Sequence, residues 1–302
     1  MCGIVGLFLK DRRLEPELGA LLSDMLVTMT DRGPDSAGIA VYGENRPGEA
    51  KITAQSPRPA EDFDGLETKL AGVSQGTARV TVKDTHAVIR LSAARVADVR
   101  AALLSLSPRV RVMGVGASVE IYKEVGKPRE VVNRFGIAEM GGSHGVGHTR
   151  MATESAVTTL GAHPFSTGDD QCLVHNGSLS NHNNLRRELA RSGMIFETEN
   201  DSEVAAAYLT VAMRQGKDLG QALKGALNDL DGFYTFVVGT QSGFGVLRDP
   251  IACKPAIMAE TGRYVAFGSE YRALVGLPGI ESARVWEPEP ATVYFWDRAK
   301  AA

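Results

Sequence analysis

The chain predicts a layered α+β fold, with helices stacked on sheets, and three observations carry that expectation. Short, apolar, β-branched runs lie at both ends of the chain. Segments of helical period fill the stretch between about 183 and 229, and Gly or Pro punctuates most of the boundaries.

In chain order, the run GIVGLFL at 3–9 reads as a buried strand. A helix follows with Pro16 in its first turn and Leu18, Leu21, Leu22, Met25, Leu26 and Met29 on one face. Gly33-Pro34 stops it, and 36–42 reads as a second strand. Residues 43–60 turn polar, with Pro47, Pro57 and Pro59, and predict a loop. An insert of small α/β layout is expected at about 65–140. It comprises a strand at 85–92, a helix at 93–106, a strand or hairpin at 110–125 and a helix opened by Pro128. Strands are then expected at 145–150 and 171–175, and helices at 183–191, 202–214 and 219–229. Gly193 and Gly216 follow the first two helices, as residues past a helix C-terminus often do. The remainder alternates strands and turns: 233–239, 244–248, 256–259, 264–268 and 292–296.

Composition narrows the class. A length of 302 residues allows one large domain or two ordinary ones. With 33 Lys and Arg against 36 Asp and Glu, the net charge of −3 argues against a broad nucleic-acid surface. Hydrophobic content of 43% and charged content of 23% are those of a soluble globular protein. No run approaches the length of a membrane span, and Lys10, Asp11, Arg12 and Arg13 follow the apolar N-terminus too soon for a secretory signal. Three cysteines cannot build a disulfide framework, so the expected location is the reducing cytoplasm. Glycine is abundant, 33 of 302 residues, and clusters beside polar motifs at 141–147 and at Asn176-Gly177.

Cys2 is the most informative residue because of its position. Once the initiator Met is removed, a free α-amine and a thiol sit on one residue, titrating near 7.7–8.0 and about 8.5. Nucleophile and general base are then matched at the end of a strand. A buried strand cysteine is the alternative reading of Cys2 alone.

Further motifs accompany it: Arg32-Gly33-Pro34-Asp35-Ser36, Gly147-His148-Thr149-Arg150-Met151-Ala152-Thr153, and Ala162-His163-Pro164-Phe165. Then come His175-Asn176-Gly177-Ser178-Leu179-Ser180-Asn181, Asn200-Asp201-Ser202-Glu203, Leu247-Arg248-Asp249-Pro250 and Gly268-Ser269-Glu270. With Cys2 at the start, this ordered set resembles the class II glutamine amidotransferases, over residues 2–45 and about 143–275.

The resemblance implies a four-layer αββα sandwich of the Ntn-hydrolase type, with the small α/β lobe inserted in it. It also implies a site. Cys2 would attack the glutamine side-chain amide, and Asn176 and the Gly177 N–H would hold the oxyanion. Arg150 would bind the α-carboxylate bidentately and Asp201 the α-ammonium. Asp201 also stands where a helix N-cap would, so a structural role competes there. Thr153 and His163 match positions lining the glutamine pocket, and Arg32 matches a supporting loop residue near the nucleophile. The sequence departs from the commonest pattern at Met151, where an aromatic is usual, and at Glu154, where some relatives have histidine.

Other readings fall away. His144 and His148 lie in a segment too Gly-rich for a helical metal site. Gly114-Val115-Gly116 lacks the rest of a phosphate loop. Cys172 and Cys253 read as core residues and His182 as solvated.

The chain reaches residue 302 soon after its glutaminase-like part, so the ammonia acceptor is expected on another polypeptide. The stretch 118–128 resembles the free-standing amidotransferase subunits related to glutamate synthase, of the N-methylglutamate synthase type. That implies glutamine as substrate and a hetero-oligomer with a separate synthase subunit. It implies no cofactor in this chain, with a flavin or iron–sulfur centre in the partner, and no nucleic-acid or membrane partner. A stand-alone hydrolase of γ-glutamyl amides and a non-catalytic regulatory subunit are the alternatives.

Overall fold

In the computed structural model, which describes residues 2–152 and 156–300, the chain opens with strand β1 (Gly3–Leu9), helix α1 (Leu18–Thr28) and strand β2 (Ser36–Tyr42). A smaller unit follows: β3 (Glu49–Gln55), α2 (Pro59–Asp62), α3 (Leu66–Ser74), β4 (Arg79–Lys83), β5 (His86–Ser92), α4 (Val96–Leu106) and β6 (Arg111–Gly116). The chain returns through β7 (Val119–Val125), α5 (Pro128–Phe135), β8 (His144–Arg150), β9 (Phe165–Gly168) and β10 (Gln171–Leu179). Helices α6 (His182–Arg191), α7 (Asp201–Arg214) and α8 (Leu219–Asp229) come next. Six strands close the fold: β11 (Gly232–Gly239), β12 (Gly243–Arg248), β13 (Ile257–Glu260), β14 (Tyr264–Gly268), β15 (Arg284–Trp286) and β16 (Thr292–Asp297).

The strands form a seven-stranded sheet in the order β15-β13-β14-β1-β8-β2-β7 and a five-stranded sheet in the order β16-β12-β11-β10-β9. Strand β1 shows how the layers assemble. Its odd residues Val5, Leu7 and Leu9 pack with Leu22, Met25 and Leu26 of α1 and Phe135 of α5. Its even residues Ile4 and Phe8 face Val174, Val237 and Phe244 of the second sheet. Both faces of β1 are buried, which is why its sequence is a continuous apolar run rather than an alternation. At Gly6, between those even positions, the Phe244 ring comes too close for any Cβ. The outer face of the second sheet, with Leu173, Phe236 and Leu247, is covered by Ala205 and Leu209 of α7 and Leu223 of α8. The result is helix, sheet, sheet, helix, as expected.

The small lobe differs from expectation. Its sheet, β4-β5-β3-β6, includes β3, which falls in the stretch read as loop. Ile52 and Ala54 of β3 enter the lobe's own core, while Pro47 and Pro57 lie just outside the strand and bound it instead of breaking it. The far limit shifts too: β7 pairs with β2 over its whole length, from Ser36↔Val125 to Tyr42↔Val119, and α5 packs on α1. The segment that leaves and rejoins the main sheet is therefore 43–118, in place of about 65–140. Asp170 pins the return, accepting the backbone N–H groups of Ala117 (2.7 Å), Ser118 (2.8 Å) and Val119 (2.9 Å).

Candidate active site

Cys2 lies half-buried at the start of β1, where the central strand of the first sheet delivers it between β8 and β14. The backbone behind it is held from several sides. Gly3 N–H donates to Thr149 Oγ1 (3.2 Å), and Ile4 N–H donates to Ser269 Oγ (2.9 Å). The Cys2 carbonyl accepts from Arg32 Nε (3.0 Å) and from Asn176 Nδ2 (3.0 Å). Arg32 is itself fixed by Glu270 (2.5 Å), which also takes Arg272 (2.6 Å). Arg32 thus holds the backbone of Cys2 in place.

The thiol has its own surroundings. Met151 N–H donates toward Sγ at 3.5 Å. Burial raises the Cys2 thiol, but the adjacent His148 and the Met151 N–H outweigh it, bringing the value down from 9.0 to about 7. His148 Nε2 lies 3.1 Å from the His175 carbonyl. A carbonyl only accepts, so Nε2 is protonated and donates to it. The Nδ1 of the same ring is buried.

Asn176 and Gly177 sit in β10, on the sheet opposite β1. Asn176 is buried, and besides the Cys2 carbonyl its amide approaches Ser269 Oγ at 3.4 Å. Gly177 has φ +143°, and a Cβ there would run into the Phe233 carbonyl, so only glycine fits this turn of backbone.

Arg150 and Asp201 line one cleft of about 510 Å³, together with Leu160, Gly161, Thr198 and His182. A guanidinium and a carboxylate in one cleft match the two charged ends of an amino acid; Cys2, Asn176 and Gly177 are not among that cleft's lining residues, and the thiol is linked to it through Met151, the residue after Arg150. Arg150 ends β8 and reaches the Ala156 carbonyl (3.3 Å). Asn200, not Asp201, is the helix N-cap: its side chain accepts Ser202 N–H at 2.8 Å. Asp201 instead takes the Leu179 N–H at 2.9 Å and keeps its carboxylate at the cleft.

His163 does not line the cleft; it is buried behind it, stacked on His148 with centroids 4.1 Å apart. Its Nε2 and His175 Nδ1 each lie 2.8 Å from the Ser202 hydroxyl, which also donates toward Asp201 (3.3 Å). Burial holds His163 well below the ordinary histidine value, with the charges of His148 and His175 adding to the effect. His175 falls to about 4, again through burial, with the Asp201 carboxylate opposing. Both rings are therefore neutral near pH 7.

Three smaller expectations meet the structure differently or lie beyond it. Cys253 is exposed, since the loop after β12 turns it outward, whereas Cys172 is core and accepts from Tyr42 Oη at 3.3 Å, its thiol pushed up to about 12 by burial. His182 is not free in solvent: its ring meets the Leu179 carbonyl at 2.6 Å on the cleft wall. Thr153 and Glu154 lie outside the described residues. His144 stacks on Tyr42 (4.1 Å) between the sheets. Among the described residues no group of three or more His, Cys, Asp or Glu is placed to hold a metal ion, and no helix is long and apolar enough to cross a membrane.

Thr149, Ser269 and Glu270 were visible only as members of motifs, with no role attached. Their contacts to Gly3, Ile4 and Arg32 span 146 to 265 residues of chain, so local pattern carries no trace of them.

Two sheets between helices, with an N-terminal strand that presents Cys2 against the opposite sheet, define an amidotransferase fold of the Ntn type. Solved structures agree: the fold matches glutamine phosphoribosylpyrophosphate (PRPP) amidotransferase from B. subtilis with a TM-score of 0.62 at 19% identity, over 99% of this chain and 48% of that one. The chain thus spans about half the length of that enzyme. The glutamine amidotransferase domain family matches residues 148–276. The chain is 75% identical over the full length of both sequences to the glutamine amidotransferase-like protein GlxB of Rhizobium meliloti. It is 31% identical to a putative glutamine amidotransferase of Methanothermobacter thermautotrophicus, over 97% of this chain and 99% of that one. The chain belongs to the class II glutamine amidotransferase family.

Proposed function

We propose that this protein hydrolyses glutamine to glutamate and ammonia through a γ-glutamyl thioester on Cys2. The observation that carries the reading is the cleft shared by Arg150 and Asp201, with the residue after Arg150 directing its N–H at the Cys2 thiol. Glutamine enters with its α-carboxylate on Arg150 and its α-ammonium on Asp201. His163 supports the pocket from behind through Ser202. The Cys2 thiolate attacks the side-chain amide carbon, and the charge that collects on the carbonyl oxygen is met by Asn176 Nδ2 and the Gly177 N–H. The free α-amine of Cys2, exposed once Met1 is removed, carries the proton to the departing nitrogen. Ammonia leaves, and water then cleaves the thioester to release glutamate and restore the thiol.

The ammonia goes to a synthase subunit related to glutamate synthase, of the N-methylglutamate synthase type. The likeness of residues 118–128 to that group supports this part of the reading. Any flavin or iron–sulfur centre belongs to the synthase; the steps above need none in this chain. The test is purification of the C-terminally tagged protein from its native host, with mass spectrometry of what accompanies it and a glutaminase assay of the eluate. A flavin or iron–sulfur synthase subunit in an active eluate is the expected result. An active protein that comes down alone favours a stand-alone γ-glutamyl amide hydrolase. A complex in which Cys2 resists an electrophilic glutamine analogue refutes the catalytic reading.

A further inference from the structure

Behind the glutamine cleft lies a smaller cavity of about 170 Å³. Leu160, Glu197 and Thr198 border both spaces, so they form the partition between them. Two buried charges, Lys123 of β7 and Glu203 of α7, face the rear cavity.

Lys123 is 5% exposed, and no carboxylate lies within 4.0 Å of it among the described residues. Its ammonium donates to the carbonyls of Leu160 (3.2 Å), Ala162 (2.8 Å) and Pro164 (3.2 Å), and lies 4.6 Å from the Phe165 ring centre. Three donors meet three acceptors of one short loop. Glu203 does the converse on the other side of the cleft. Its carboxylate accepts the backbone N–H groups of Glu197 (2.8 Å) and Thr198 (2.8 Å) and the Thr198 hydroxyl (2.7 Å). The neighbouring Glu124 of β7 takes the Thr159 hydroxyl, adding a second hold on the lysine's loop.

Burying an ammonium is costly, and an apolar side chain of the same volume would fill the space at less cost. What the apolar residue cannot do is fix three carbonyls. Burial does bring Lys123 down to about 8, with Glu203 and then Glu197 drawing it back up. The held loop carries Leu160 and Gly161 of the cleft wall and the Ala156 carbonyl that receives Arg150.

We propose that Lys123 is a positioning residue for glutamine: it fixes one wall of the cleft from behind through three loop carbonyls, while Glu203 fixes the other. This rests on the cleft being the glutamine site.

The test uses the full chain with Met1 removed. Iodoacetamide alkylates Cys2, and bound glutamine slows that reaction, so half-protection gives the glutamine Kd without any partner protein. Lys123→Met is expected to alkylate within about twofold of wild type when glutamine is absent, and to need about tenfold more glutamine for half-protection. Protection equal to wild type overturns the inference. A fall in bare alkylation that tracks a lowered Tm marks a merely structural lysine and overturns it too. Should Lys123→Met not fold, Lys123→Gln keeps two N–H donors; it is expected between the extremes, and a wild-type Kd refutes the proposal. A wild-type protein that glutamine does not protect overturns the glutamine reading of the cleft, and this inference with it.

Discussion

The state of the Cys2 thiol can be perturbed through His148 without touching Cys2 itself. His148→Gln is the substitution of choice, because the glutamine amide reaches as far as Nε2 and can keep the bond to the His175 carbonyl. It removes the imidazole beside the thiol and leaves the burial, which alone raises the value. Wild-type Cys2 titrates at about 7, so about half is thiolate at pH 7. Returned to 9.0 or above, about one per cent or less is thiolate there, a fall of roughly fiftyfold. The observed rate falls less. A thiolate of higher pKa is intrinsically more nucleophilic, by about tenfold for two units at a Brønsted slope near 0.5, so the net loss at pH 7 is about fivefold. The midpoint of the rate–pH curve is therefore the cleaner readout. Iodoacetamide alkylation of the processed protein, followed by mass spectrometry from pH 5 to 10, should rise with pH and be half-maximal near 7 for wild type. It should shift upward by about two units in the variant. An unmoved midpoint in a folded variant refutes the role given to His148.

Other outcomes follow from the same geometry. Cys2→Ala should abolish glutamine hydrolysis while leaving Tm within a few degrees, since a half-exposed thiol contributes little packing; residual turnover counts against the nucleophile. Arg150→Ala should raise the glutamine KM with little change in kcat, because ground state and transition state share the carboxylate contact. Asn176→Ala should lower kcat by about 10²–10³, measured as glutamate release under saturating glutamine. Protein that retains Met1 should be inactive, because the peptide bond removes the basic amine; N-terminal mass spectrometry paired with the assay decides it.

Elements whose own sequence dictates their burial were legible. Strand β1 is apolar throughout because both faces are covered, and α1 shows its period because one face meets the first sheet. What escaped were elements specified by partners. Strand β3 looks like a proline-rimmed loop until the lobe's core claims Ile52 and Ala54. Strand β4 is a largely exposed lobe edge, while β9 and β15 have only four and three residues, too short for any alternation to register. In the candidate site, Cys2 is singled out by its place in the chain, and Arg150, Asn176, Gly177 and Asp201 by motif order. At the start of α7 the competing N-cap role falls to Asn200 instead of Asp201, because both residues cap well and only geometry shows which side chain accepts the Ser202 N–H. Lys123 gave no signal, since a lysine in a strand reads as a surface residue until the loop that wraps it is seen.

The pairing of Tyr42 with Val119 has a consequence for how the molecule is put together. Outgoing and returning chains cross the edge of the first sheet as register partners, about 5 Å apart, the separation that a two-residue hairpin turn closes. Topologically the whole lobe is a swollen turn. Its size, contents and even its presence can vary without altering the order of a single strand around Cys2. The lobe thus hangs from the sheet by one pair of neighbouring strand ends, while β7, its landing strand, carries the lysine that reaches back to the cleft.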